Sequence, residues 1–139
     1  MELEQIVDSK FKFNKTIRTQ LEKVEEIKFN MCLDKSLDTP IFVYFTSFSF
    51  EEKLYDLARK NIKNFPIITM DVTSSKKMAK KYGIHEIPTL ALVYDRKIIG
   101  SFSSKYPEKV KDWLSTNGIK LVLEQYYERK RAENSRKLC

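Results

Sequence analysis

The sequence predicts an α/β fold in which helices cover both faces of a mixed central sheet, in three layers. The first observation is the order of elements, because runs typical of strands alternate with helical periodicity as strand, helix, strand, helix, strand, strand and helix. The second is the connections: a helix between the first two strands makes them parallel, whereas a tight turn between the last two makes them antiparallel. A chain of 139 residues is expected to form one domain with a buried core.

The strands are predicted from apolar, β-branched and aromatic runs. Residues 41–45, Ile-Phe-Val-Tyr-Phe, form an unbroken run that is typical of a strand buried on both faces. Residues 66–72 predict a second central strand. A third, from Thr89 to Tyr94, turns at Asp95-Arg96 into a fourth from Lys97 to Phe102.

The helices between these strands are predicted from apolar spacing and from their stop signals. The first covers about residues 50–64, and its buried stripe consists of Leu54, Leu57, Ala58 and Ile62. The second covers about 75–82 and ends at Gly83, where positive φ is tolerated. The last covers about 107–116 and is expected to end at Asn117-Gly118.

Extensions are predicted on both sides of this domain, which is expected to span residues 23–118. Apolar positions recur every three or four residues in 1–22, which indicates a helical extension. Phe11 and Phe13 alternate with lysines, so a short strand there is the alternative prediction. A short helix is expected at about 30–37. In 119–139, Ile119, Val122, Leu123 and Tyr126 share one helix face, and a basic segment follows.

Composition and charge restrict the class of protein without naming a partner. A hydrophobic content of 42% and a net charge of +7 fit a folded, basic protein. The charge permits nucleic acid or an acidic protein surface as a partner but does not require either. No run approaches the roughly 20 apolar residues that span a bilayer, and Met1 to Gln5 resembles no signal peptide. We therefore expect a cytoplasmic or nuclear protein without membrane association.

One motif in the predicted domain resembles a known family. Tyr82-Gly83-Ile84, then Ile87-Pro88-Thr89 and the run to Tyr94, resemble the proline loop and following strand of thioredoxin. The resemblance covers about residues 24–117 and implies a thioredoxin-like three-layer fold. It also implies a cis Ile87–Pro88 bond and a groove in which the backbone before the proline pairs with an extended partner. Without the resemblance, Pro88 would only begin a strand.

The residues that give this family its redox chemistry are missing from the matching positions. Where thioredoxin carries Cys-x-x-Cys, residues 46–52 read Thr-Ser-Phe-Ser-Phe-Glu-Glu. Ser49 and Glu52 have the spacing of a capping box, so this helix start is expected to be organised for stability. Tyr44 falls where the family has a buried aspartate. The resemblance therefore implies a redox-inactive member.

The remaining reactive residues do not form a recognisable site. The cysteines Cys32 and Cys139 are 107 positions apart and indicate no disulfide framework. Two thiols in a chain of this length fit a reducing compartment. Cys32 is expected to be a small buried hydrophobe, and His85, the single histidine, an ordinary loop position. No phosphate loop or metal-ligand spacing is present, and no cofactor is expected.

Three functions are compatible with these observations. The first is a non-catalytic binding or adaptor protein, and phosducin-like proteins, which it resembles in architecture only, are a precedent for that use of the fold. Its partner-binding residues would be Phe48, Ser49, Phe50, Ile87, Pro88 and Thr89. The second is a structural subunit of a ribonucleoprotein or other large assembly, anchored by Arg129, Lys130, Arg131, Arg136 and Lys137. The third is a thiol oxidoreductase that uses Cys32 or Cys139.

Overall fold

The computed structural model describes residues 15–47, 53–74, 76–103 and 106–138. The helices in this part of the chain are α1 (Lys15–Lys35), α2 (Lys53–Asn61), α3 (Lys76–Lys81), α4 (Val110–Leu114) and α5 (Asn117–Leu138). The strands are β1 (Ile41–Thr46), β2 (Ile67–Asp71), β3 (Thr89–Tyr94) and β4 (Lys97–Phe102). Two 3₁₀ turns, Val72–Ser74 and Pro107–Lys109, precede α3 and α4.

The four strands form one mixed sheet, as predicted, and their order in it is β2-β1-β3-β4. Strand β1 runs parallel to β2, with Phe42 opposite Ile67, and antiparallel to β3, with Phe45 opposite Thr89. Strands β3 and β4 are antiparallel. At the turn between them, φ is 54° at Asp95 and 61° at Arg96. Positive φ at both central residues is the geometry of a type I′ turn, whose twist matches that of the flanking strands.

The core has two layers, one on each face of the sheet. Alternate side chains of β1 serve the two layers: Val43 and Phe45 belong to one, Phe42 and Tyr44 to the other. Residues from α1, α3 and the proline loop complete the first layer, among them Phe29, Leu33, Met78, Ala79 and Ile87. Residues from α2, α4 and α5 complete the second, among them Leu54, Ala58, Val110 and Ile119. The buried run at 41–45 is therefore explained by contacts on both faces.

Helix α1 differs from the prediction, because it is one continuous helix of 21 residues. The boundary expected between residues 22 and 23 lies inside it, and the short helix expected at 30–37 is its C-terminal end. The buried Ser36 ends the helix. Its hydroxyl donates to the carbonyl of Leu33 (2.6 Å) and accepts the backbone N–H of Arg96 (3.0 Å). One serine therefore joins the end of α1 to the β3–β4 turn. The strand considered around Phe11 and Phe13 lies outside the described residues.

Helix α3 ends as predicted at Gly83, where φ is 77°. The N–H of Gly83 donates to the carbonyl of Lys80 (3.1 Å), and that of Ile84 donates to Ala79 (2.8 Å). These two bonds form a Schellman motif, which satisfies the last carbonyls of the helix and places glycine where a side chain would be strained.

The C-terminal part of the domain also differs from the prediction. Asn117 and Gly118, expected to end a helix, instead begin α5, and the break lies at Ser115 and Thr116. The Thr116 hydroxyl donates back to the carbonyl of Trp113 (2.7 Å), while the Thr116 carbonyl accepts the N–H of Lys120 (2.9 Å). Thr116 therefore ends one helix and begins the next. Among the described helices, α5 included, none is long and apolar enough to cross a membrane.

Candidate functional site

The candidate site is the loop that connects α3 to β3 through Pro88. The Ile87–Pro88 peptide bond is cis. Two hydroxyl groups hold this loop in place: that of Thr89 donates to the carbonyl of Glu86 (2.7 Å), and that of Ser103 donates to the carbonyl of Pro88 (3.2 Å). Ser103 follows directly after β4, so the loop is fastened to the edge of the sheet as well as to its own strand.

The predicted binding residues in this loop differ in what they can present to a partner. Ile87 is 6% exposed and packs in the core, and Thr89 is 4% exposed. Their side chains therefore support the loop from beneath, and only their backbone can face a partner. Pro88 is half-buried, while His85 and Glu86 are exposed.

The sequence predicts an ordinary loop position for His85 and gives no prediction for Glu86 or Ser103. The only local signal for these residues was that they flank Pro88 and the end of β4. Whether a flanking side chain is exposed depends on the packing beneath the loop.

The end of β1 lies beside this loop. Phe45 is opposite Thr89 in the sheet, and Thr46 and Ser47, which follow Phe45, are buried polar residues. Ser47 therefore lies close to the start of β3. The predicted binding residues Phe48, Ser49 and Phe50, and the capping pair of Ser49 with Glu52, lie outside the described residues.

Position 44, where the family resemblance implied an aspartate, belongs to the apolar core. Tyr44 is fully buried, and its ring lies 5.3 Å from that of Tyr55 on α2. Both rings are packed in the layer formed with α2 and α5. Position 44 therefore carries an aromatic ring between the sheet and α2, and not a carboxylate.

The thiol of Cys32 is on α1 and is 5% exposed. Burial raises the pKa of Cys32 above the usual range of a thiol, although Lys28 and Lys35 partly oppose this rise by favouring the thiolate. The prediction that Cys32 is a small buried hydrophobe is confirmed. Within the described residues, no group of histidine, cysteine or carboxylate side chains is arranged to hold a metal ion.

Some side chains of the predicted basic segment, which begins at Arg129, contact other residues of the protein, and others are exposed to solvent. The guanidinium of Arg129 donates to the carbonyl of Asp38 (2.7 Å) and lies 5.9 Å from the ring centroid of Tyr94. Lys130 pairs with Glu133 at 3.3 Å. Arg131 and Arg136 are exposed. The side chain of Lys137 lies outside the part of the structure that is described.

Comparisons with known proteins agree with this architecture. The family model named Thioredoxin matches residues 49–116, from the loop before α2 to the turn after α4. The solved thioredoxin of Fasciola hepatica matches the structure with a TM-score of 0.52 and 19% identity, over 65% of this chain and 91% of that chain. This protein contains a thioredoxin-like domain. Thioredoxin NaTrxh from Nicotiana alata matches it with a TM-score of 0.53 and 15% identity, over 63% of this chain and 82% of that one.

These comparisons show the fold of the thioredoxin-like domain and not its activity. At such identities, a structural likeness carries no information on substrate or partner. No curated protein matches the chain in sequence. The family match ends at residue 116, so α5, which begins at Asn117, lies outside it.

Proposed function

We propose that this protein is a non-catalytic thioredoxin-like binding module that recognises an extended protein segment beside Pro88. The observation that carries the proposal is the position of the thiols. The chain has two cysteines, and neither is in the loop after β1. Cys32 is buried in α1, and Cys139 is the last residue of the sequence.

Dithiol chemistry requires features that Cys32 does not offer. Two sulfur atoms must come close enough to bridge, with Cα atoms within about 7 Å, and one of them must be an accessible thiolate. Burial of Cys32 favours the protonated thiol instead. The family's proton-transfer position is occupied by the buried ring of Tyr44.

The proposed binding surface combines backbone with a small number of accessible side chains. The backbone around Ile87 would pair with an extended segment, as strand addition requires. Side-chain contacts would come from His85, Glu86 and Pro88, which are exposed or half-buried. Phe48 and Phe50 are proposed to complete the surface, since β1 ends next to this loop.

The absence of redox catalysis is tested with a dithiothreitol-driven insulin reduction assay. Wild-type protein and a Cys32→Ser, Cys139→Ser double variant are expected to give the same rate as the reaction without protein. A thioredoxin with an intact active site serves as the positive control. A rate above background that the double variant lacks would show that the protein is an oxidoreductase.

The binding surface is tested by site-specific photo-crosslinking in an extract of the native source. A benzophenone amino acid replaces Glu86 in one preparation and Lys111, an exposed residue of α4, in a matched control. We expect a discrete protein adduct from position 86 and none from position 111. Equal adducts from both positions, or adducts only from a third preparation labelled at Arg131, would contradict the proposed surface.

A structural subunit anchored by its tail is the second candidate function. The observation that favours it is that α5 continues as a helix to Leu138 and exposes Arg131 and Arg136. Nucleic-acid binding through such contacts should weaken steeply as salt is added. A gel-shift series with RNA at rising salt, comparing the full chain with one ending at Lys130, distinguishes the two candidates.

A further inference from the structure

A cleft on the described surface lies away from the proline loop and has no role in the proposed function. It lies between α5 and the loop that joins α2 to β2. One part of it is a cavity of about 250 Å³, and the residues that line it are Phe42, Asn61, Ile62, Lys63, Asn64, Phe65, Leu114, Leu123 and Tyr127. The base and walls are apolar, and the two asparagines and the lysine are exposed.

The walls of this cavity are held by aromatic contacts. The ring of Phe65 lies 6.2 Å from that of Phe42 and 5.3 Å from that of Tyr127. Phe42 is fully buried in the sheet, so it fixes the base of the cavity. Since three separate elements hold these rings, the cavity is formed before any ligand arrives.

The cavity adjoins a second, more polar part of the cleft, with which it shares Phe65. This part has a volume of about 510 Å³ and is lined by Arg59, Ile62, Lys63, Phe65, Pro66 and Ile67. Ile62, Lys63 and Phe65 line both parts, so the two adjoin and form one cleft. Two adjoining parts, one apolar and one polar, can take neighbouring side chains of one segment of chain.

The charged residues that line this cleft, Arg59 and Lys63, are both cations. Residues 57–70 include Arg59, Lys60 and Lys63 and no acidic residue. All three cations are exposed. On α5, Glu124 follows the lining residue Leu123, and Glu128 follows the lining residue Tyr127. Consecutive residues are about 100° apart around a helix, so neither glutamate shares the face that lines the cavity. The polar part of the cleft therefore favours a ligand with negative charge.

The cleft and the proline loop lie towards opposite ends of β1. Phe42, at the base of the cavity, is opposite Ile67, whereas Phe45 is opposite Thr89 beside the loop. The cavity is also on the face of the sheet covered by α2 and α5, whereas Ile87 packs in the layer on the other face. A ligand in the cleft would leave the proline loop accessible.

We propose that this cleft is a second docking site, for an acidic protein segment that inserts one large apolar side chain into the 250 Å³ cavity. The cavity exceeds the roughly 150 Å³ that holds a benzene molecule in an engineered core, so it accommodates a phenylalanine or leucine side chain. Carboxylates on the same segment would lie near Arg59 and Lys63, where opposite charges attract.

The proposal is tested by selecting phage-displayed random peptides of roughly twelve residues on the full-length protein. Clones that also bind an Asn64→Trp, Lys63→Glu variant are discarded, because the tryptophan is designed to fill the mouth of the cavity. We expect the remaining peptides to share a large apolar residue flanked by aspartate or glutamate. Failure to recover any peptide, or a set without this pattern, would overturn the proposal.

Synthetic copies of the selected peptides then separate the two parts of the cleft by fluorescence polarisation. Alanine in place of the apolar residue is expected to weaken binding by at least about tenfold. An Arg59→Glu, Lys63→Glu variant is expected to weaken it by about tenfold and to remove most of its salt dependence.

The matched control is a Lys77→Glu, Lys81→Glu variant, which makes the same change in net charge on exposed positions of α3, the helix that packs on the other face of the sheet. It should change affinity by less than about twofold, since screened charges at a distance contribute little. Circular dichroism confirms that each variant is folded. If the control weakens binding as much as the cleft variant does, the peptides respond to overall charge and the docking site is refuted.

Discussion

Single residues in this protein show how local environment decides chemical behaviour. Cys32 and Glu25 are both on α1, on either side of Lys28. The pKa of each is raised above the value of an exposed group. In both, removal from water is the largest effect, because burial penalises the charged form. Neighbouring lysines only reduce that effect.

The thiol of Cys32 is expected to be unreactive while the protein is folded. In a Cys139→Ser background, reaction with a disulfide reagent at about pH 8 should be more than about tenfold slower than in guanidinium-unfolded protein. The reason is that burial both blocks access and raises the pKa of Cys32. A rate equal to that of the unfolded protein would contradict this account and would weaken the case against redox chemistry.

Glu25 is expected to make stability depend on pH with the opposite sign to an ordinary paired carboxylate. Its pKa is raised, mainly by burial, although Lys28 and the N–H of Asp71 favour the charged form. Because the pKa of Glu25 is higher in the folded than in the unfolded protein, Glu25 contributes stability at pH values below its pKa in the unfolded protein. This contribution is lost as the pH rises through its pKa in the folded protein.

A Glu25→Gln variant keeps an oxygen that can accept from the N–H of Asp71, a bond of 3.3 Å in the native protein, but it carries no charge. Urea unfolding from about pH 4 to pH 6 should therefore show the wild type losing stability relative to this variant as pH rises. A constant difference across that range would show that Glu25 does not titrate in this way.

At the scale of elements, helices complete and protect the sheet. The N–H of Phe42 donates to the carbonyl of Pro66 (3.0 Å), so alternate backbone groups of β2, at Ile67, Thr69 and Asp71, point away from β1. On that outer side, Lys28 donates to the carbonyl of Thr69 (2.5 Å), and Glu25 accepts the N–H of Asp71. Two side chains of α1 therefore occupy edge groups that could otherwise pair with another strand.

Helix α5 packs on the core through the apolar face that the sequence indicated in the extension from residue 119. Ile119 is 3% exposed, and a Cβ added at Gly100 would lie 3.0 Å from its Cδ1. The absence of a side chain at Gly100 therefore allows the helix to approach β4 closely. Val122 and Leu123 extend the same contact.

An Ile119→Ala substitution is expected to lower the free energy of unfolding by about 2–4 kcal/mol, because it leaves a cavity between α5 and the sheet. Leu121→Ala is the matched control on the same helix, since Leu121 is 54% exposed. It should change stability by less than about 0.5 kcal/mol. Equal effects of both substitutions in urea unfolding would show that α5 is not packed as described.

At the scale of the whole molecule, the terminal helices and the sheet share the two layers of the core. Strand β1 contributes to both core layers, α1 packs on one of them and α5 on the other. Trp113, the single tryptophan, lies 6.4 Å from Phe42 and 5.9 Å from Phe102, so its fluorescence reports the layer beneath α5.

Urea unfolding followed by Trp113 fluorescence and by far-ultraviolet circular dichroism should therefore give one common midpoint. The dichroism signal reports all the helices, while the fluorescence reports one face of the sheet. Helical signal that persists after the fluorescence transition would indicate that the terminal helices unfold separately from the thioredoxin-like domain.

The sequence by itself determined the features that depend on a few neighbouring residues. The buried run of β1, the turn at Asp95-Arg96 and the helix stop at Gly83 each follow from local composition or from the φ that one residue tolerates. Strand directions follow from the lengths of the connections. The thioredoxin-like fold was therefore predictable, and so was the location of the proline loop.

Only the tertiary structure decided which predicted site residues are accessible and where the terminal helices belong. Ile87 and Thr89 were expected to contact a partner, but packing beneath the loop buries their side chains. Helix α1 ends where Ser36 contacts Arg96, 60 positions away. Arg129 is held by Asp38, 91 positions away. Contacts between such distant residues depend on how the layers pack together, and this information is not contained in any short segment of sequence.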